Sequence, residues 1–149
     1  MPNEARRGRK IRALTAYLAT AVTMLIMDFC WLTAMGGFYK SQLGPLMKTP
    51  PNLAAAAAFY LVYVAGVTAF VVLPSLQRAG ARVGAKGGWP RASLFGGGFG
   101  LVAYATYDLT NLSTLSGFSL TLTVTDLAWG MVITAASATV GYLAARRVG

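Results

Sequence analysis

Four stretches of mostly apolar residues, near Arg12–Met35, Leu53–Leu73, Ala92–Leu112 and Leu120–Ala145, divide this chain. No other feature constrains the fold as tightly. A hydrocarbon core of roughly 30 Å takes about 20 apolar residues per helical crossing, and runs rich in Ala, Leu and Gly satisfy their backbone groups in lipid only as helices. Strand-like alternation does not occur in them. The reading is an all-α polytopic membrane protein, a four-transmembrane-helix bundle over residues 12–147 preceded by a basic tail over residues 1–11. With 56% hydrophobic and 11% charged residues in 149, the chain is too apolar for an ordinary soluble domain, and the lipid bilayer is its expected surroundings.

The formal charge of +9 would suit a nucleic-acid partner if the cations formed one stripe. They sit instead at segment ends. Arg6, Arg7, Arg9, Lys10 and Arg12 precede the first helix, Arg78, Arg82, Lys86 and Arg91 lie between the second and third, and Arg146 and Arg147 follow the fourth. Only Lys40 and Lys48 of the 13 basic residues fall on the other side. Cytoplasmic loops carry such an excess of Lys and Arg, so the pattern predicts both termini in the cytoplasm (N-in, C-in) and no nucleic acid. Ala13–Met27 with basic residues before it also resembles a secretory signal. Asp28 and the apolar Phe29–Leu32 prolong it beyond a usual signal core, and it is read as a retained helix.

The connection Gly36–Asn52 holds Gly44-Pro45 and Pro50-Pro51, with Asn52 placed to cap the second helix. Gly80, Gly84, Gly87 and Gly88 mark a glycine-rich inner loop, and Trp89 before Pro90 marks an interfacial anchor. A shift of 80 positions superposes Asp28 on Asp108, Leu32 on Leu112, Gly37 on Gly117 and Phe38 on Phe118. That is the mark of a short parallel duplication or of chance likeness between apolar helices. Gly96 and Gly100 have a spacing that lets another helix approach closely, either within the bundle or in a homodimer through helix 3.

Of four acidic residues, three lie in or at the rim of apolar segments: Asp28, Asp108 and Asp126. An ionisable group there is expensive and marks function by default. At about 1.5 Å per residue, Asp28 lies ~24 Å from Arg12, Asp108 ~25 Å from Arg91 and Asp126 ~30 Å from Arg146, so all three are expected near the outer face. Each acid has an aromatic or amide partner three residues on: Trp31, Asn111 and Trp129 respectively, with Tyr104 one turn before Asp108. Carboxylates beside indole and phenol faces suit a small cationic or amphiphilic ligand. Three converging carboxylates would titrate jointly, or would supply hard oxygen ligands to a divalent metal, with Asp28, Asp108 and Asp126 the candidates. Plainer roles stand beside these: Asp126 as a helix cap, Asp28 and Asp108 as register-fixing groups, Trp31 and Trp129 as belt anchors.

With no His and a single cysteine, Cys30, His triads, His-bound zinc and internal disulfides are excluded. No cofactor is indicated. Small-molecule binding or transport is the first functional expectation. An enzyme acting on a lipid or amphiphile with Asp as base or metal ligand, and a structural subunit or assembly factor, are the alternatives.

The runs YLATAVTMLIMDFCWL, FYKSQLGPLM, GLVAYATYDLTNL and VTDLAWG together resemble a family of bacterial predicted integral-membrane proteins known as a domain of unknown function (2177). The resemblance spans about Tyr17 to Thr139, and its motifs YDLTNL and DLAWG contain Asp108, Asn111 and Asp126. It implies the four-helix topology and the bacterial inner membrane, and it implies no activity. The basic stretch Met1–Lys10 looks peculiar to this chain.

Overall fold

The computed structural model describes residues 2–81 and 88–148. Arg82, Gly84, Lys86 and Gly87, which the sequence reading places in the inner loop, lie outside these. Four helices make up the described chain: α1 (Pro2–Leu43), α2 (Leu53–Val67, continued through a π turn Thr68–Val72 into Leu73–Ala81), α3 (Trp89–Thr114) and α4 (Leu120–Arg147). A short 3-10 turn, Gly44–Leu46, follows α1. The all-α expectation holds. α1 is longer than Arg12–Met35 at both ends, because neither the basic tail nor Gly36-Gly37 interrupts its helical turns. Asn52 caps α2, its side-chain oxygen accepting from the Ala55 amide at 3.1 Å. Ser119 caps α4 in the same way through Leu122, so Asp126 lies well inside that helix and is not its cap.

Among the described residues, three segments are long and apolar enough to cross a membrane, Arg6–Leu46, Leu53–Ala79 and Leu120–Arg147. α3 has 26 residues, which at about 1.5 Å each is also a membrane-spanning length. Its glycines, tyrosines and Asp108 lower its hydropathy. The outer surface argues for lipid. On α1 the exposed stripe is Leu14, Leu18, Val22, Leu25, Phe29 and Leu32, while the buried stripe is Ala16, Thr20, Met24 and Asp28. Small and polar groups inside with large apolar groups outside reverse the soluble arrangement and suit a helix whose solvent is hydrocarbon.

The buried positions of α2, Tyr63, Val64, Val67, Thr68, Val71, Val72 and Ser75, recur every four residues. An α-helix of 3.6 residues per turn lets such a stripe drift by about 40° each turn. The wider π turn at Thr68–Val72 offsets the drift and keeps Val71, Val72 and Ser75 on the core side.

α4 is the hub, packed most closely on α3. A Cβ at Gly96 would meet the Ala138 methyl and the Thr134 carbonyl, each at 2.9 Å, and one at Gly100 would run into the Gly130 carbonyl and the Thr134 hydroxyl. Gly130 in turn lies under the Tyr104 ring, and Gly141 lies against Thr20 of α1. Gly96 and Gly100 thus serve packing inside the bundle, the first of the two roles their spacing suggests, with α4 seated on that face. Gly98 has open space around it. Gly100→Ala is therefore expected to destabilise the fold by about 1–3 kcal/mol, the usual cost of overpacking, and Gly98→Ala to leave it unchanged. Thermal unfolding of the two detergent-solubilised variants checks this, and equal melting points would contradict the packing.

Candidate functional site

The end of the bundle that holds the 44–52 and 115–119 connections gathers most of the chain's polar aromatic residues. Asp28 is buried on α1 and receives one donor on each carboxylate oxygen. The Tyr60 hydroxyl donates to Oδ2 at 2.8 Å and the Trp129 indole N–H donates to Oδ1 at 3.0 Å. Three helices, α1, α2 and α4, are tied together by one side chain.

A second chain of bonds runs alongside. The Trp31 indole N–H donates to the Tyr39 hydroxyl at 2.8 Å, and that hydroxyl donates to Asp126 Oδ1. Trp31 and Trp129 stack face to face, with centroids 4.2 Å apart and planes 6° from parallel. The stack joins the two halves into a single unit: Tyr60, Asp28, Trp129, Trp31, Tyr39 and Asp126. Two of the three expected pairings are exchanged between helices. The three-residue spacing puts Trp31 on the face of Asp28, yet Trp31 serves Asp126 through Tyr39, while Trp129 from the helix of Asp126 serves Asp28.

Asp126 also opens onto a cavity of about 510 Å³ between α2, α3 and α4, lined with it by Phe59, Tyr63, Ala103, Tyr104, Thr106 and Tyr107. The Tyr63 hydroxyl is hydrogen-bonded to Thr134 at 2.8 Å, and the Tyr63 and Tyr104 rings meet edge to face with centroids 6.4 Å apart. The wall is therefore a set of fixed aromatic surfaces with one carboxylate among them.

Asp108 differs. It is 0% exposed, and neither carboxylate oxygen has a hydrogen-bond partner among the described residues. An unsatisfied buried carboxyl is costly and calls for a role beyond folding. Asn111, one turn further along α3, is half-buried and stands outside the network. Among the described residues no group of three or more His, Cys, Asp or Glu is placed to hold a metal ion. The geometry does not offer a single metal site shared by Asp28, Asp108 and Asp126. Sequence reasoning missed Tyr60, Tyr63 and Phe59. The signal for the two tyrosines was the three-residue spacing of phenols on an otherwise apolar stretch, Leu53–Val67.

These environments separate the acids experimentally. Asp28→Asn puts an amide N–H₂ where an oxygen now accepts, leaving a donor facing a donor, and is expected to cost about 1–3 kcal/mol of stability. Asp108→Asn removes a charge that no partner compensates and is expected to leave stability unchanged or raise it. Melting curves of both variants in the same detergent make the comparison, and the reverse order would contradict it.

Neither the curated proteins nor the solved structures contain a match to this chain. A family model does match it over residues 13–143, and its description is Predicted membrane protein (DUF2177). That stretch includes α2 and α3, most of α1 and α4, and every residue of the aromatic and acidic network. The chain belongs to this family of predicted membrane proteins.

Proposed function

We propose that this membrane protein binds a small lipophilic cation or amine in the cavity beside Asp126. The observation that carries the reading is one carboxylate on the wall of an otherwise aromatic and apolar cavity of about 510 Å³. That volume lies within the range of small-molecule sites, which are mostly apolar with a few placed polar groups. Charge pairing with Asp126 and cation–π attraction to Tyr63, Tyr104 and Tyr107 would act on the same ligand, the latter worth about 0.5–2 kcal/mol per well-placed ring. Asp28 has a positioning part in this reading: it holds Trp129, and through the indole stack Trp31 and Tyr39, so that Asp126 keeps its place.

The topology that goes with it has four crossings of the bacterial inner membrane and both termini in the cytoplasm. Arg6, Arg7, Arg9, Lys10, Arg12, Arg78, Arg91, Arg146 and Arg147 sit at one end of the described helices and Lys40 and Lys48 at the other, which supports that orientation. The cavity then faces the outer half of the membrane, where a cation would be taken up, and transport is the use that such a site would have.

Tetraphenylphosphonium, an aromatic lipophilic cation, is a suitable probe. Equilibrium dialysis with the purified protein is expected to show saturable binding, weakened at least tenfold (about 1.4 kcal/mol) by Asp126→Asn and several-fold by Tyr104→Leu. Gly98→Ala is expected to bind like the wild type. Unchanged affinity in a folded Asp126→Asn variant would remove the proposed counter-ion.

A further inference from the structure

The opposite end of the bundle contains a second, chemically different cavity. It measures about 230 Å³ and lies between α1 and α2, lined by Arg9, Arg12, Ala13, Leu73, Leu76 and Gln77. Arg9 and Arg12 are three residues apart and so share a helix face; Arg9 is exposed and Arg12 half-buried. The facing wall from α2 is Leu73 and Leu76, with the Gln77 amide beside them. None of the lining residues is acidic.

We propose that this cleft binds the phosphate of an anionic lipid headgroup. Guanidinium groups present planar forks of N–H donors that match phosphate oxygens two at a time. Basic pockets between helices at the level of the headgroups are a recurrent form of lipid recognition. The apolar half of the lining favours a lipid over free phosphate. Leu73 and Leu76 form one wall of the cleft, an apolar surface that the glycerol and upper acyl region of a lipid would cover and that a free phosphate would leave bare. The exposed Trp89 at the same end matches the aromatic belt that marks the interface. This site shares no residue with the cation cavity, and its test can succeed or fail independently of that reading.

Native mass spectrometry of the delipidated full-length protein, offered equal amounts of dioleoyl phosphatidylglycerol and dioleoyl phosphatidylcholine, reads the proposal directly. The wild type is expected to retain phosphatidylglycerol over phosphatidylcholine at least fivefold. Arg9→Gln/Arg12→Gln is expected to bring that ratio close to one. Arg146→Gln/Arg147→Gln, which removes the same charge from the same end but outside the cleft, is expected to keep it. No preference in the wild type, an unchanged ratio in the Arg9/Arg12 variant, or an equal fall in both variants would overturn the site. Displacement of bound phosphatidylglycerol by millimolar inorganic phosphate, in the wild type only, would overturn the lipid assignment and give the cleft to the free anion. Should the double variant not elute as the wild type does, Arg9→Gln alone, at an exposed position, is expected to lower the ratio at least twofold, and no change there would count against the cleft.

Discussion

The contact between Gly100 of α3 and Gly130 of α4 sets the geometry from which the rest of the bundle follows. With no side chain on either residue the two backbones come close enough for the Gly130 carbonyl to fill the space a Cβ would need. In lipid there is no hydrophobic drive to bring helices together, and association depends on this kind of backbone approach. Three consequences reach the site. The Tyr104 ring lies flat over Gly130 and becomes a wall of the cavity. Thr134, pressed against Gly100, keeps its hydroxyl on the Gly130 carbonyl and within reach of Tyr63. Trp129, next to Gly130, is carried toward α1, where it meets Asp28 and stacks on Trp31.

Asp28 and Asp108 are the same residue type at nearly the same depth, and the bundle treats them in opposite ways. Asp28 receives a phenol and an indole from two other helices, so its burial closes a network that fixes the register of α1, α2 and α4. Among the described residues Asp108 has no such donors. The sequence shift that aligns them is therefore not a symmetry of their surroundings: α2 supplies Tyr60 to Asp28, and none of the described residues supplies a donor to Asp108.

The helices were legible in the sequence because lipid leaves the backbone one option, and apolar runs of sufficient length announce it. The buried acids were legible for the same reason, since a charge in an apolar run stands out. Their partners were not. Whether Asp28 meets Trp31 or Trp129 depends on how far α1 and α4 are rotated and slid past each other, and no one-dimensional spacing contains that. The extension of α1 through Gly36 and Gly37 was hidden because those glycines read as a break, although helical turns continue beyond them and carry Tyr39 to Asp126. The π turn in α2 left a trace in the four-residue period of buried Val, Thr and Ser. That period becomes meaningful only once the buried face is known.

The choice of partners for the acids bears on what the site can do. Asp28 and Asp126 are held by hydroxyl and indole donors. A guanidinium or ammonium in their place would orient a carboxylate equally well but would cancel its charge. Neutral donors fix direction and leave the negative charge in place, in surroundings where low dielectric makes an uncompensated charge act more strongly than in water. On the proposed reading, a cation entering the aromatic cavity would meet a carboxyl group that neutral donors have already oriented. Most of the basic side chains of the described residues are concentrated at the far end, so the bundle largely separates its two signs of charge along its length.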